Sequence, residues 1–455
     1  MLTRAVIVGA VLLLGGCGGV APTQGPGTPG STAPLPATPG GPSVTRAAAT
    51  AGPASQTAVP ASVGPGQSPG VIATGSPGVT PGAGGWQYLS DFPAGSAIEV
   101  TGVTAHANGF AAVGFEPYPG EGFGGRRNGV VWTSADGRGW SREVPEALAS
   151  TSLLGVVSLS GQLYAFGEYS ICPELSEEEC FDAPDAGIAL WRSPDGTGWQ
   201  RLALPDSLRT GILDGALTDG RQLIVHGSTG EELRGAVWLS PNGESWTEVH
   251  ELAGVDPINA LAAGAGRLVA FGIRYLSEED DVEALAAWSE GGAFAPALLP
   301  AGQRGVVQAV TWSEAGFSAV GLEYEPTGEG LATVALASAD GVSWTAADPG
   351  QLPAGAGFQG VLAMPSGYLA LGAVPATEAG RERLFAWSSA DGLEWREHGP
   401  LAGGAYRQLS SYGRAAAGVM VFANDFEPSD ELEPVEQELG TVHAWFLPLD
   451  GQGLP

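Results

Sequence analysis

Trp132-Thr-Ser-Ala-Asp136-Gly137-Arg-Gly-Trp140 occurs once in this form and then returns in variants. Trp191-Arg-Ser-Pro-Asp195-Gly196-Thr-Gly-Trp199 and Trp238-Leu-Ser-Pro-Asn242-Gly243-Glu-Ser-Trp246 follow it. Leu336-Ala-Ser-Ala-Asp340-Gly341-Val-Ser-Trp344 and Trp387-Ser-Ser-Ala-Asp391-Gly392-Leu-Glu-Trp395 come later, with a degenerate copy, Trp288-Ser-Glu-Gly-Gly292-Ala-Phe294, in between. Asp-Gly or Asn-Gly between apolar and aromatic runs marks a hairpin, because such turns need positive φ and Gly adopts it at little cost. Each copy therefore predicts two antiparallel strands around a tight turn.

Upstream of each hairpin stands a second repeated run. It reads Gly109-Phe-Ala-Ala-Val-Gly114, Gln162-Leu-Tyr-Ala-Phe-Gly167, Gln222-Leu-Ile-Val-His-Gly227, Arg267-Leu-Val-Ala-Phe-Gly272, Gly316-Phe-Ser-Ala-Val-Gly321 and Gly367-Tyr-Leu-Ala-Leu-Gly372. The closing glycines are 53, 60, 45, 49 and 51 residues apart, and a diverged seventh copy lies near Val419 to Ala423. One more short apolar strand precedes each run, as in Gly155-Val-Val-Ser or Gly360-Val-Leu-Ala. Four strands in about 50 residues form a unit that cannot bury both faces alone, and a ring of such units solves the problem. The expected fold is an all-β, seven-bladed β-propeller of four-stranded blades, with six or eight blades as alternatives. The last hairpin, His443-Ala-Trp445-Phe-Leu-Pro-Leu-Asp450-Gly451, reaches the end of the sequence without its second aromatic strand, whereas Gly85-Trp86-Gln-Tyr-Leu precedes the first blade. Trp86 and its neighbours are thus expected to complete the last blade and close the ring.

The pattern Ser-x-Asp-Gly-x-x-Trp resembles the Asp-box, or BNR repeat, of sialidase-like propellers, with one residue fewer in the spacing. The likeness runs over some 370 residues at repeat level. It implies a structural turn, with the side chains of Asp136, Asp195, Asn242, Asp340 and Asp391 bonding turn amides. The Arg-Ile-Pro tripeptide typical of sialidases is absent, and no Tyr, Glu or Arg can be matched to their catalytic groups. Sialidase chemistry is therefore not the expectation. Kelch-type propellers, with paired glycines and later aromatics, are a weaker match.

Composition divides the chain. Residues 1–17 carry one Arg, a short apolar run and Leu14-Gly15-Gly16-Cys17. That reads as a secretory signal; the last four residues resemble the bacterial lipobox. The resemblance implies acylation at Cys17 and an exported protein, lipid-anchored at the outer face of the cytoplasmic membrane or the cell surface. Ordinary secretion is the alternative. Residues 18–85 are almost wholly Gly, Pro, Ala, Ser, Thr and Val, a composition that cannot bury enough apolar surface to offset ordering entropy, so a disordered tether is expected. Residues 86–455 form the propeller, and they hold all 49 acids but only 17 of the 19 basic groups, every one Arg. The net charge of −30 excludes a nucleic-acid partner, and the absence of Lys excludes Schiff-base and P-loop chemistry. A monomer is expected.

The candidate sites are these. Thirteen residues before each closing glycine the innermost strands carry Thr101, Leu154, Asp214, Asn259, Gln308 and Gln359, with Gln408 the candidate seventh member. Such a ring could face the central channel and bind a polar ligand such as a sugar; equally, these groups could satisfy backbone or channel water. Asp214 is its single carboxylate, which is thin ground for a glycosidase that needs two. Acidic runs (Glu174 to Asp182, Glu278 to Glu283, Asp425 to Glu438) suit a divalent cation or a basic partner, or are plain solvated loops. None matches a calcium loop, so Ca2+ has no nameable ligands and no cofactor is expected. Cys172 and Cys180 are the pair left once Cys17 is lipidated, giving a disulfide-closed loop; free thiols or a metal pair stay open. The five histidines show no ligand spacing and read as structural or surface residues. The chain is thus read as a non-enzymatic binding or assembly module with a protein or glycan ligand; a carbohydrate-active propeller is the alternative.

Overall fold

The computed structural model describes residues 79–81, 85–97, 99–106, 109–118, 126–169, 187–230, 234–249, 255, 257–275, 282–324, 331–353, 355–375, 382–401, 408–424 and 441–449. Among them the strands form seven antiparallel sheets. Six are four-stranded meanders in sequence order, spanning 99–143, 151–202, 212–249, 258–296, 306–346 and 357–400, which we number blades 1 to 6. Blade 7 takes its three inner strands from 408–448 and its outer strand from Gln87–Leu89, with Gln87 opposite Phe446 and Tyr88 opposite Trp445. The start of the propeller is thereby stitched to its end. A further strand, Val79–Pro81, pairs with Gln87–Leu89 and gives this sheet a fifth member. The sheet thus reaches back into the stretch whose composition reads as tether.

The core is divided. Seven clusters of buried side chains each combine residues of two neighbouring blades and so fill the seven seams of the ring. The third-strand tryptophans Trp132, Trp191, Trp238, Trp387 and Trp445 are all fully buried, each in the seam with the preceding blade. Trp86 is 1% exposed and lies in the seam of blades 6 and 7, the place that an Asp-box tryptophan takes elsewhere. Blade 4 departs from the pattern. Its Ser289 holds the turn, as Ser134 does in blade 1, so the tryptophan place falls on Ala287 and Trp288 turns to the other side. The seam between blades 3 and 4 is accordingly the one filled by an alanine at this position.

Among the described residues the helical elements in the connections between blades are Asp206–Arg209 and the 3-10 turns Glu146–Leu148 and Pro349–Gln351. The hairpin loops are longer than two-residue turns: in blade 1 the ladder ends at Thr133 opposite Ser141. Side chains do the work that a tight turn would do. Ser134 Oγ accepts from Gly137 N at 2.9 Å, and Asp136 Oδ1 accepts from Arg138 N at 2.8 Å and Gly139 N at 2.9 Å. Trp140 Nε1 donates to Gly137 O at 3.1 Å. Asp195, Asn242, Asp340 and Asp391 repeat the arrangement. The glycine takes φ +78° in Gly137 and its Cα faces Phe446 of the preceding blade, so the loop also closes a seam.

Candidate functional site

The ring positions sit at a shared irregularity. In every blade the innermost strand bulges at one residue: Thr101, Leu154, Asp214, Asn259, Gln308, Gln359 and, in blade 7, Ser410. Gln408 is not the seventh member, because it pairs with Asn424 two positions earlier in the register. A bulge sets two residues against one and breaks the alternation of sides. In blade 3, Leu213 and Ala216 both pack in the seam with blade 2, so Asp214 and Gly215 between them both turn toward blade 4. The ring side chains therefore lean toward the next blade. Thr101 Oγ shows the result, donating to Leu153 O of blade 2 at 2.8 Å. Gln359 Nε2 instead donates to Glu382 Oε2 of its own blade at 3.2 Å.

The bulges lie near the end of the axis where the innermost strands begin, which we call the upper mouth. Desolvated acids stand at that end of blades 1, 2, 3 and 6. Glu99 opens the innermost strand of blade 1; protein surrounds its carboxyl, although water still reaches the residue, and this burial pushes the pKa up to about 7 against the pull of Arg127. Burial likewise raises Asp214 to about 6, and it raises Glu168 and Glu382. Arg127 feels both Glu168 and Glu99, and its guanidinium lies 4.6 Å over the Phe115 ring. Close by, Arg126 stacks on Tyr118 at 4.0 Å and Arg201 on Tyr169 at 4.1 Å. A carboxyl in low dielectric with few protein donors is poised to accept hydrogen bonds from, or to neutralise, a ligand.

Other candidates fall elsewhere. Cys17, Cys172, Cys180, His250 and the acidic runs lie outside the described residues, Glu283 excepted, and that side chain pairs with Arg274. His398 bonds Ser388 at 2.7 Å and His443 bonds Tyr88 at 2.9 Å. A depression of about 420 Å³, lined in part by Gln351, Glu394, Trp395 and Arg396, sits at the outer hairpin of blade 6, away from the mouth. No group of three or more His, Cys, Asp or Glu suited to a metal occurs among the described residues.

The architecture is that of a seven-bladed propeller with Asp-box-like hairpins. No protein-family profile matches the chain, and neither does any curated protein sequence. Solved structures similar to it include YCF48 bound to a D1 peptide, at 13% identity over 80% of this chain and 96% of that one, with a TM-score of 0.48. The β-propeller domain of the trilobed protease from Pyrococcus furiosus shows 10% identity over 78% and 95%, with a TM-score of 0.46. A Trypanosoma rangeli sialidase in complex with sialic acid shows 14% identity over 78% and 54%, with a TM-score of 0.39. These are distant likenesses, so function is argued from the chain's own residues.

Proposed function

We propose that the chain is a non-enzymatic binding module whose upper mouth takes a polar or positively charged ligand, a protein segment or a glycan. One observation carries this reading. Glu99, Asp214 and Glu382, with the amide of Gln359, stand desolvated at one end of the axis, whereas the hairpin loops at the other end are occupied by their own backbone bonds. Desolvation costs stability and is tolerated where a partner completes the hydrogen bonds. Anchoring through Cys17, export, and a Cys172–Cys180 disulfide belong to the same reading, supported by Leu14-Gly15-Gly16-Cys17 and by the compartment it implies. A glycan array and a pull-down with the full chain test the reading: a ligand retained by the wild type and lost in Glu99→Gln and Glu382→Gln supports it. Retention by both variants would place binding elsewhere.

A second reading has its own support. Glu99 and Glu168 are two carboxyls that both interact with one arginine beside an aromatic ring, a set that carbohydrate-active sites employ. Release of reducing ends from an array-positive glycan, abolished in Glu99→Gln, would favour it over binding alone.

A further inference from the structure

Repetition makes departures visible, and the outer hairpin of blade 6 holds one. The residues on either side of the hairpin's second aromatic are Gly139 and Ser141 in blade 1, Gly198 and Gln200 in blade 2, and Ser245 and Thr247 in blade 3. Ala293 and Ala295 in blade 4 and Ser343 and Thr345 in blade 5 are likewise uncharged. In blade 6 the pair is Glu394 and Arg396, so five sister hairpins fold without either charge. Both line the depression of about 420 Å³ beside Trp395, as does Gln351. That amide stands on the turn Pro349–Gln351, which Asp348 caps by accepting from Gly350 N at 3.0 Å. Trp395 is half-buried, whereas Trp199 and Trp344 at the same place are 9% and 6% exposed. Its ring is fixed: Nε1 donates to Gly392 O at 3.1 Å, and Phe358 meets it at 5.2 Å between centroids. The polar groups around it divide into two kinds. Ser388 is spent on His398, Ser389 on Gly392 N, and Asp391 on Leu393 N and Glu394 N. The side chains of Gln351, Glu394 and Arg396 have no hydrogen-bond or ion-pair partner among the described residues.

We propose that this depression is a subsite for one neutral pyranose ring, separate from the upper mouth. A carboxylate only accepts hydrogen bonds and a guanidinium only donates them, whereas a sugar hydroxyl does both. Neighbouring hydroxyls can therefore satisfy Glu394 and Arg396 together, with Gln351 able to serve in either sense. The indole between them supplies an apolar surface for the C–H groups of the ring. The volume lies within the ~300–1,000 Å³ of small-molecule sites, which pair such an aromatic lining with a few polar groups. Electrostatics select the charge of the sugar. Glu394 and Arg396 leave the depression without net charge of its own, and the chain's −30 disfavours an anionic ligand.

Titration of the full chain with the methyl glycosides of glucose, galactose, mannose and N-acetylglucosamine, followed by saturation-transfer NMR, tests the subsite. Sodium glucuronate serves as the anionic contrast. Glu394→Ser and Arg396→Thr install the residue types that blade 5 carries at these places, Ser343 and Thr345, so both variants are expected to fold; thermal melting checks this. At least one glycoside is expected to bind the wild type, and more tightly than glucuronate does. Its dissociation constant should rise at least about fivefold in each variant, since a hydrogen bond to a charged group is lost. Binding of none of the four glycosides, tighter binding of glucuronate, or a smaller change in either variant overturns the proposal. Loss of glycoside binding in Glu99→Gln would overturn it as well, by placing the sugar at the mouth.

Discussion

At the scale of single residues the repeat works through one carboxylate oxygen. In blade 5, Asp340 Oδ1 accepts from Val342 N at 2.9 Å and Ser343 N at 3.0 Å, bonds that together with that from Ser338 outweigh desolvation and hold its pKa below the usual aspartate value. Asp195 is held lower, at about 2, by Thr197 and Gly198. Blade 3 uses a neutral acceptor, Asn242 Oδ1, at 2.9 and 3.0 Å from the same two amides. Charge-assisted bonds are about twice as strong as neutral ones, so Asn242→Asp is expected to stabilise the protein by about 0.5–1 kcal/mol in urea unfolding at pH 7. The sign with pH follows from linkage. A carboxyl whose folded pKa is depressed contributes stability above its unfolded value and loses it as pH falls through the folded one. The gain should therefore fade below about pH 4. A gain that persists at pH 2 would show that the charge was not its source.

At the scale of strands and blades, much was legible because a steric rule repeats. The closing glycines face the bulge: a Cβ on Gly227 would meet Ile212 O at 1.9 Å, and one on Gly321 would meet Val306 O at 2.0 Å. In blades 1 to 6 close backbone approach leaves room for glycine alone, which is why the Gly114-to-Gly372 series is so regular in sequence. Gly155, just after its bulge, has open space around its Cβ position. Gly227→Ala is accordingly expected to cost at least about 2 kcal/mol in urea unfolding, and Gly155→Ala less than about 1 kcal/mol. Equal costs would remove the bulge from the explanation. The same rule shows what was missed. In blade 7 the closing place is Ala423 at no measurable exposure, and thirteen residues before it stands Ser410; without a glycine to count from, Gln408 was the nearer amide. In blade 4 Trp288 is the residue that aligns by type with the other tryptophans, but Ser289 fixes the frame and leaves Ala287 inward. Glu99 was illegible for another reason: a charged residue at a strand start is ordinary in sequence, and only the fold reveals that protein surrounds it.

At the scale of the whole molecule, buried ionisable groups set opposing slopes. Glu99 and Asp214 have folded pKa values raised to about 7 and about 6, so the folded state keeps protons that the unfolded chain gives up from about pH 4 upward; their contribution declines as pH rises through those values. His226, held down to about 4, acts in the reverse sense, with stability lost as pH falls from 6.5 toward 4. Between pH 6.5 and 7.5 Glu99 has the largest slope of the three and the residual titration of Asp214 and of the unfolded His226 largely offset each other, so the melting temperature should fall with rising pH there, at no more than about 1.4 kcal/mol of stability per unit. Glu99→Gln should flatten that limb; an unchanged slope would relocate the titrating group. Ring closure makes the last demand. Among the described residues two ladder pairs, Gln87 with Phe446 and Tyr88 with Trp445, stitch the ends together, and Trp86 packs in the seam of blades 6 and 7. The need for this strand was readable from the unfinished final hairpin, because a sheet lacking its outer aromatic strand leaves Trp445 and Leu447 uncovered. Trp86→Ala should therefore cost about 3–5 kcal/mol, as other large-to-small core changes do. More tellingly, it should speed amide exchange at Gln87–Leu89 and along 442–448 before it does so in blades 3 and 4. Uniform acceleration around the ring would mean that closure does not depend on this side chain, since local opening at a weak stitch must begin at the stitch.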